Sequence, residues 1–313
     1  MRKKIVMYYR QKKNSPDPFS GFGRKRSVYY YFFEYGTRAG FDMYLSSGKE
    51  NYLGELNFKN PLFFDGKNFL STKKIIRADA VYDRSGGLEF PPPKVKKTLN
   101  CLSFKTLCND KNSMYSSLGK FMPKSIKIKN KKELGMALAH FPAKKIAVLK
   151  PAKGLGGKGI AIDLPENLAK TKLESGTEYV LQQFIDTSRG IKNITQGRHD
   201  LRVVIIDKEI TLAHVRNPKE GSYLANVAQG GKIEELPIEK IPASAVKVTK
   251  KIQEIIDKKY NYPLYSIDFG FEDEKPYVFE LNDQIGFPSE KMPGHTLFIE
   301  RLVGSLGKMA ESK

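Results

Sequence analysis

The residues best equipped for chemistry lie near the end of the chain. An alternating run, Tyr265-Ser266-Ile267-Asp268-Phe269-Gly270-Phe271, leads through a polar turn, Glu272 to Pro276, into a second run, Tyr277-Val278-Phe279-Glu280-Leu281-Asn282. Alternation predicts the two arms of a β-hairpin. A turn centred on Glu274 sets Asp268 opposite Glu280, and the period-two spacing puts Glu280 and Asn282 on one face. Two carboxylates and an amide oxygen then converge. Facing carboxylates repel unless a cation lies between them. Hard oxygen donors suit Mg²⁺, which completes its shell with water and substrate phosphate oxygens. The plainer reading is three solvent-facing strand residues, but the apolar neighbours Ile267, Phe269, Phe279 and Leu281 argue for a buried opposite face.

A second candidate is Lys150-Pro151-Ala152-Lys153-Gly154-Leu155-Gly156-Gly157-Lys158-Gly159-Ile160. A Walker loop requires a first glycine and a hydroxyl after Gly-Lys; here Ala152 and Gly159 occupy those positions. Gly154, Gly156 and Gly159 match G-x-G-x-x-G, yet the dinucleotide fingerprint needs a helix after the third glycine. The next residues, Ile160 to Leu164, read as a strand, as do Lys145 to Lys150 before the glycines. The segment is therefore a strand-to-strand hairpin, either a flap whose amides close over a triphosphate or an ordinary glycine-rich turn.

Two arginines inside strand patterns form the third candidate. Leu201 to Ile206 and Glu209 to Arg216 make a hairpin through Asp207-Lys208, carrying Arg202 and Arg216 on adjacent arms. Such forks hold carboxylate and phosphoryl groups bidentately; a salt bridge to Asp200 or Asp268 is the alternative for either.

The elements that must position these groups emerge from pattern and punctuation. Residues 1–97 read as a small α/β unit: strand Lys4–Tyr8, helix Arg26–Ala39 stopped by Gly40, strand Phe41–Leu45 and strand Ala78–Asp83. Alternation of strands and helices predicts a parallel sheet. Pro91-Pro92-Pro93 marks a boundary. Beyond it come one helix from Ser103 to Gly119, strand Ile126–Ile128, a helix over Glu133–His140, strand Tyr179–Ile185, helix Pro242–Tyr260, the final hairpin and a C-terminal helix.

Composition sets outer limits. The chain has 313 residues and a formal net charge of +20. That charge fits either an acidic partner or a lysine-rich surface; no basic run is interleaved with aromatics as a single-strand platform would be. An acidic substrate is favoured over duplex nucleic acid. No apolar run approaches the ~20 residues that span a membrane. Arg10 interrupts the N-terminal apolar run, which reads as a strand and not as a signal peptide. Cys101 and Cys108 lack metal or redox spacing and read as buried thiols, so a cytoplasmic location is expected. The four histidines show no triad or metal spacing.

Taken in order, Lys150-Pro151 with its flap, Gln182-Gln183-Phe184-Ile185, Asp200-Leu201-Arg202, Arg216-x-Pro218-x-x-Gly221, Ala225-Asn226 with Gly230-Gly231, Asp268-Phe269-Gly270 and Glu280-Leu281-Asn282 resemble the ATP-grasp superfamily, in its glutathione synthetase and RimK-type ligase branch, over residues 98–305. The resemblance implies an α/β (α+β) ATP-grasp fold behind a Rossmann-like pre-ATP-grasp domain. The implied domains are 1–97 and 98–313, the latter split into a linker helix and lid (98–190) and a larger subdomain (191–313). It implies ATP and Mg²⁺ or Mn²⁺, two ions, with Asp268, Glu280 and Asn282 as metal ligands. Lys111, Lys150 and the flap glycines Gly154, Gly156, Gly157 and Gly159 would hold phosphates. Gln183 and Phe184 would grip adenine, and Asp200 would contact the ribose. Arg202, Arg216 and Asn226 would stabilise the phosphoryl group and acyl intermediate. The implied reaction joins a carboxylate to an amine, with glutamate or an acidic carrier suggested by charge and a homo-oligomer expected from relatives. One departure is Asp283 to Pro288, where relatives often carry Pro-Gly. A basic RNA- or acidic-peptide-binding protein with a silent nucleotide site is the competing reading.

Overall fold

In the computed structural model, residues 1–13, 17–88, 97–154, 156–225 and 230–312 are described. The Pro91–Pro93 boundary and Asn226 lie outside them.

The chain opens with β1 (Lys4–Tyr9), α1 (Arg26–Arg38), β2 (Asp42–Ser47), β3 (Tyr52–Gly54), β4 (Asn57–Lys59), β5 (Leu62–Phe64), β6 (Phe69–Ser71), β7 (Ile75–Arg77), β8 (Ala80–Asp83) and β9 (Thr98–Leu99). The main sheet has the order β6-β5-β2-β1-β8-β9. Its centre is parallel, as expected. The β5 and β6 strands join antiparallel, so the sheet is mixed. Three-residue strands reached by short turns need no crossover helix, and this is why alternation with helices misses them. A small antiparallel sheet, β3-β4-β7, covers one face through Tyr52, Phe58 and Ile76. The first sheet runs two residues past position 97 through β9.

The predicted helix over Ser103–Gly119 is two helices, α2 (Leu102–Asn109) and α3 (Lys111–Leu118). Asp110 breaks them. Its backbone is extended, and its carboxylate accepts from the amides of Asn112 and Ser113, the signature of an N-cap. Next come β10 (Ser125–Ile128), α4 (Lys131–Leu138), β11 (Ala147–Pro151), β12 (Ala161–Asp163), α5 (Pro165–Leu168) and β13 (Tyr179–Gln183). They form an antiparallel sheet ordered β10-β13-β11-β12. Ala147, Leu149, Tyr179 and Leu181 pack against α4 and α5. By alternation Val148, Lys150 and Gln182 face the other way.

The third sheet is built from β14 (Asp200–Ile206), β15 (Glu209–Asn217), β16 (Lys232–Leu236), β17 (Leu264–Glu272) and β18 (Lys275–Asn282), in the order β16-β15-β14-β17-β18. Helix α6 (Ala243–Asp257) and α7 (His295–Glu311) complete the chain. One face carries Leu201, Val203, Ile205, Ala213, Val215, Ile267, Phe269 and Leu281 into a core with α2, α3 and α6. The opposite face carries Val204, Ile206 and Leu212 into the core of α1 and the first sheet. Helix α7 is sequestered there through Phe298, Leu302 and Leu306. No helix among the described residues is long and apolar enough to cross a membrane.

Candidate active site

Period-two alternation now fixes which side chains meet. On β14, β15, β17 and β18 the residues out of phase with the helix-covered core are Asp200 and Arg202, His214 and Arg216, Asp268, and Glu280 and Asn282. Register supplies the partners: Asp200 lies opposite Arg216, Arg202 opposite both His214 and Asp268, and Asp268 opposite Glu280. The last pairing is as expected, but for a different reason. The turn is two residues, Asp273 and Glu274, both in the left-handed region, and strands run on to Glu272 and Lys275. A bulge beyond Asp268 shifts the register by one and restores the Asp268–Glu280 pair. Pro276 is tolerated because β18 is an edge strand. The bulge also turns the Phe279 ring over Gly270, where any β-carbon would collide with it.

The cations beside Asp268 are arginines, and Arg216 joins it to Asp200 across the sheet. Arg202 grips Asp268 bidentately, Nε to Oδ1 at 2.7 Å and Nη2 to Oδ2 at 2.6 Å. Arg216 grips Asp200 in the same way, at 2.6 and 2.7 Å, and also donates to Asp268 Oδ2 at 2.7 Å. Both oxygens of Asp200 thus accept from Arg216, giving this carboxylate a role in holding the guanidinium. Burial raises the Asp200 carboxyl to about 6 against the pull of Arg216. Burial also acts upward on Asp268, but Arg202 and Arg216 outweigh it and hold that carboxyl well below the usual range. The carboxylates conversely raise Arg216, overcoming its desolvation. The Asn282 amide nitrogen donates to Asp268 Oδ2 at 3.1 Å and Glu280 Oε1 at 3.3 Å.

Above this surface sits the second sheet. Lys150 is only 7% exposed. Its Nζ donates to Gln182 Oε1 at 2.8 Å, and Gln182 in turn donates to Ser125 Oγ at 2.8 Å. Among the described residues no carboxylate lies within 4 Å of Lys150 or Lys111. Burial lowers the Lys150 ammonium to about 8, with Glu280 raising it and Lys111 lowering it. Lys111 is lowered by burial as well, against Glu280 and Asp110. Two buried cations without a counter-ion are expensive to keep, and an arriving anion relieves that cost.

The glycine segment is a hairpin between β11 and β12, with Leu149 opposite Ala161. Gly154, Gly156, Gly157 and Gly159 all have positive φ, which explains the residue type. Lys111 ties α3 to this flap: its Nζ donates to Gly154 O at 3.0 Å and its amide to Ala152 O at 2.9 Å.

The two sheets enclose a solvent-open cleft. Its polar lining includes Lys111, Lys150, Asp200, Arg216, Asp268 and Glu280, and its apolar lining includes Val148, Ile160, Ile162, Phe184, Ile185 and Phe279. Gln183 and Phe184 also line the cleft, and the Gln183 amide is bonded to Lys124 O at 2.8 Å. Arg202 contacts Asp268 from outside the cleft lining. Sequence reasoning missed Arg198, stacked over Tyr223 at 4.5 Å, and Gln182, the partner of Lys150. Period two from Val180 was the available signal for Gln182; none marked Arg198. His199 Nε2 is buried without a partner, and burial lowers its pKa. Both cysteines are free thiols, Cys108 buried and Cys101 half-buried.

A lid sheet closing its glycine hairpin over a charged antiparallel sheet is the ATP-grasp arrangement, and solved structures align with it throughout. The VanG D-Ala:D-Ser ligase of Enterococcus faecalis superposes with a TM-score of 0.61 at 13% identity, covering 99% of this chain and 100% of that one. A RimK domain protein from Sphaerobacter thermophilus gives 0.59 at 14% identity, covering 98% of each. The RimK-like ATP-grasp domain family matches residues 121–297, and the chain belongs to that family. Among curated relatives, the tetrahydromethanopterin:alpha-L-glutamate ligase of Methanocaldococcus jannaschii is 34% identical over 109 residues. That match spans 32% of this chain and about a third, 35%, of the relative's length.

Proposed function

We propose that the chain is an ATP-dependent carboxylate–amine ligase that works through an acyl phosphate. The observation that carries this is the pair of buried, counter-ion-free lysines, Lys111 and Lys150, under a positive-φ glycine flap and facing Glu280 across the cleft. Lysines of this kind attract a polyphosphate. Val148, Ile160, Ile162, Phe184 and Phe279 offer an apolar slot for a base, and the flap excludes water once closed.

In the proposed reaction a substrate carboxylate oxygen attacks the γ-phosphorus of ATP. The bond to the β,γ-bridging oxygen breaks, and ADP leaves. An amine then attacks the acyl carbon, loses a proton, and inorganic phosphate departs. Arg216 lines the cleft already oriented by Asp200, so its remaining donors act on developing phosphoryl charge without reorganisation. Arg202, held by Asp268, supports the same region from the neighbouring strand. Asn226 keeps its proposed place in acyl-phosphate binding by analogy alone. Asp200 becomes a positioning group for Arg216.

The donor chemistry fits a divalent ion of the Mg²⁺ type. Among the described residues Glu280 accepts from the Asn282 amide alone, and rotating that amide presents its oxygen beside the Glu280 and Asp268 carboxylates. Among the described residues no cluster of three His, Cys, Asp or Glu side chains is placed for a metal. Glu280, Asn282 and the shared oxygen of Asp268 would hold the ion, which when bound would offset phosphate charge.

The relative named as a glutamate ligase and the charge of +20 support an acidic substrate. Screening acids against amines for ADP release tests the proposal. Release that requires both partners supports it. RNA or acidic-peptide binding without turnover, indifferent to Glu280→Ala, would favour the binding-protein reading.

A further inference from the structure

A second group of cations lies away from the nucleotide cleft. The first sheet changes direction at β1: the chain passes to β2 on one side and returns to β8 on the other. The carboxyl ends of β1 and β8 flank that switch point, where open α/β sheets place ligands. Three segments meet there: the 3₁₀ turn Ser20–Lys25 leading into α1, Arg84 just past β8, and Ile285–Phe287 just past β18. Phe287 is clamped by Tyr29, stacked at 4.3 Å, and Tyr82, stacked at 6.0 Å. Arg84 Nη1 donates to Ile285 O at 2.7 Å and Tyr82 Oη at 3.1 Å, whereas its Nε is buried with no partner. Lys25 reaches over Gly286, whose β-carbon, if present, would lie 3.3 Å from Lys25 Nζ.

The pairing of nearby charges isolates these two cations. The neighbouring acids are engaged elsewhere: Asp83 and Asp283 with Lys105 at 3.8 and 3.2 Å, Asp17 with Arg26 at 2.7 Å, and Glu290 with the Ser27 hydroxyl at 2.6 Å. No carboxylate lies within 4 Å of Lys25 or Arg84 among the described residues. Lys25 remains solvent-accessible, yet surrounding protein desolvates it and, together with Arg84, lowers its pKa. The charge of Lys25 also reaches His214, the cross-strand neighbour of Arg202. Leu212, on the same face of β15 as His214, packs in one core with Tyr29, Tyr82 and Phe287, so the pair lies toward the face of the third sheet that carries Arg202.

We propose that Lys25 and Arg84 form a subsite for an anionic group of the substrate, a carboxylate or a phosphate borne on the part remote from the reacting carbon. This rests on the ligase reading. An anion there relieves the repulsion between the two cations and supplies the Arg84 Nε with its missing acceptor. Gly286 keeps the floor of the subsite clear of a side chain.

Calorimetry on the full chain tests this, first with ADP and Mg²⁺, then with the cleft saturated by ADP and titrated with glutarate, inorganic phosphate or the neutral diamide glutaramide. One of the two anions should bind at least tenfold more tightly than glutaramide. Lys25→Met and Arg84→Lys should each weaken it at least tenfold while leaving ADP affinity unchanged. Tighter glutarate would assign a carboxylate, tighter phosphate a phosphoryl group. Lys25 is solvent-accessible, so its variant decides the matter even if the Arg84 variant fails to fold. The proposal is overturned if neither anion saturates, if glutaramide matches them, or if Lys25→Met binds the anion as the parent does. Anion binding that depends on Lys25 in a protein unable to bind ADP would support the subsite and overturn the ligase reading.

Discussion

Replacing Lys150 by methionine removes a buried cation that nothing among the described residues neutralises. The depression of its pKa from 10.5 to about 8 corresponds to about 3 kcal/mol at 1.36 kcal/mol per unit. A lysine lowered in the folded state destabilises the fold only where it must be charged. Above pH 10.5 the group is neutral in both states and carries no penalty. As pH falls through 8 the folded protein must accept the proton, and the full penalty is present at pH 7. Methionine of similar length escapes it, but Gln182 loses its donor, which returns about 1–3 kcal/mol. Without nucleotide, Lys150→Met should therefore be as stable as the parent or up to about 2 kcal/mol more stable at pH 7, an advantage that vanishes by pH 10.5. ATP should stabilise the parent by mass action and leave the variant unmoved. Urea unfolding at both pH values, with and without ATP, reads all four quantities. A variant clearly less stable at pH 7 and still stabilised by ATP would refute the view of Lys150 as an anion-awaiting charge.

Asp268→Asn takes the shared acceptor from two guanidinium groups, so turnover should fall more than about 100-fold and stability by about 3 kcal/mol, since a broken buried pair leaves an unpaired charge; chemical denaturation separates the two effects. The raised Asp200 carboxyl gives kcat/KM an acid limb near pH 6 as Arg216 loses its anchor, and the depressed Lys150 gives a basic limb near pH 8; Asp200→Asn should remove the acid limb. In stability the Asp200 carboxyl acts oppositely, because a carboxyl raised in the folded state favours folding as pH falls from about 6 toward 4. Gly156→Ala meets no neighbour within 4 Å but has φ of +72°, so about 1 kcal/mol of strain should appear as a higher KM for ATP with intact folding. Chelation of divalent ions should abolish turnover, and Mg²⁺ should restore it.

Much of the site could be read because hairpin chemistry is local. Asp207-Lys208 and Asp273-Glu274 are two-residue turns, and period two then decides which side chains share a face. The Asp268–Glu280 pairing survived a misplaced turn because a bulge at Phe279 offset the error. What stayed hidden depends on long-range partners. The sequence already offered Asp200 and Asp268 as salt-bridge partners for Arg202 and Arg216, but only register shows that both are engaged at once, with Arg216 spanning the two. Asp110 is invisible as a break inside an otherwise continuous helical pattern until its carboxylate is seen capping α3. Three-residue strands such as β3 and β7 are too short to show a period. Lys25, Arg84 and Gly286 lie far apart in sequence, and no spacing rule joins them.

The central claim is that carboxylate oxygen is transferred to phosphorus. The direct test labels the carboxylate of an active acid–amine pair with ¹⁸O and reads the released phosphate by mass spectrometry. The account predicts one ¹⁸O atom in each inorganic phosphate, with ADP as co-product. Unlabelled phosphate, or AMP with pyrophosphate, would contradict it.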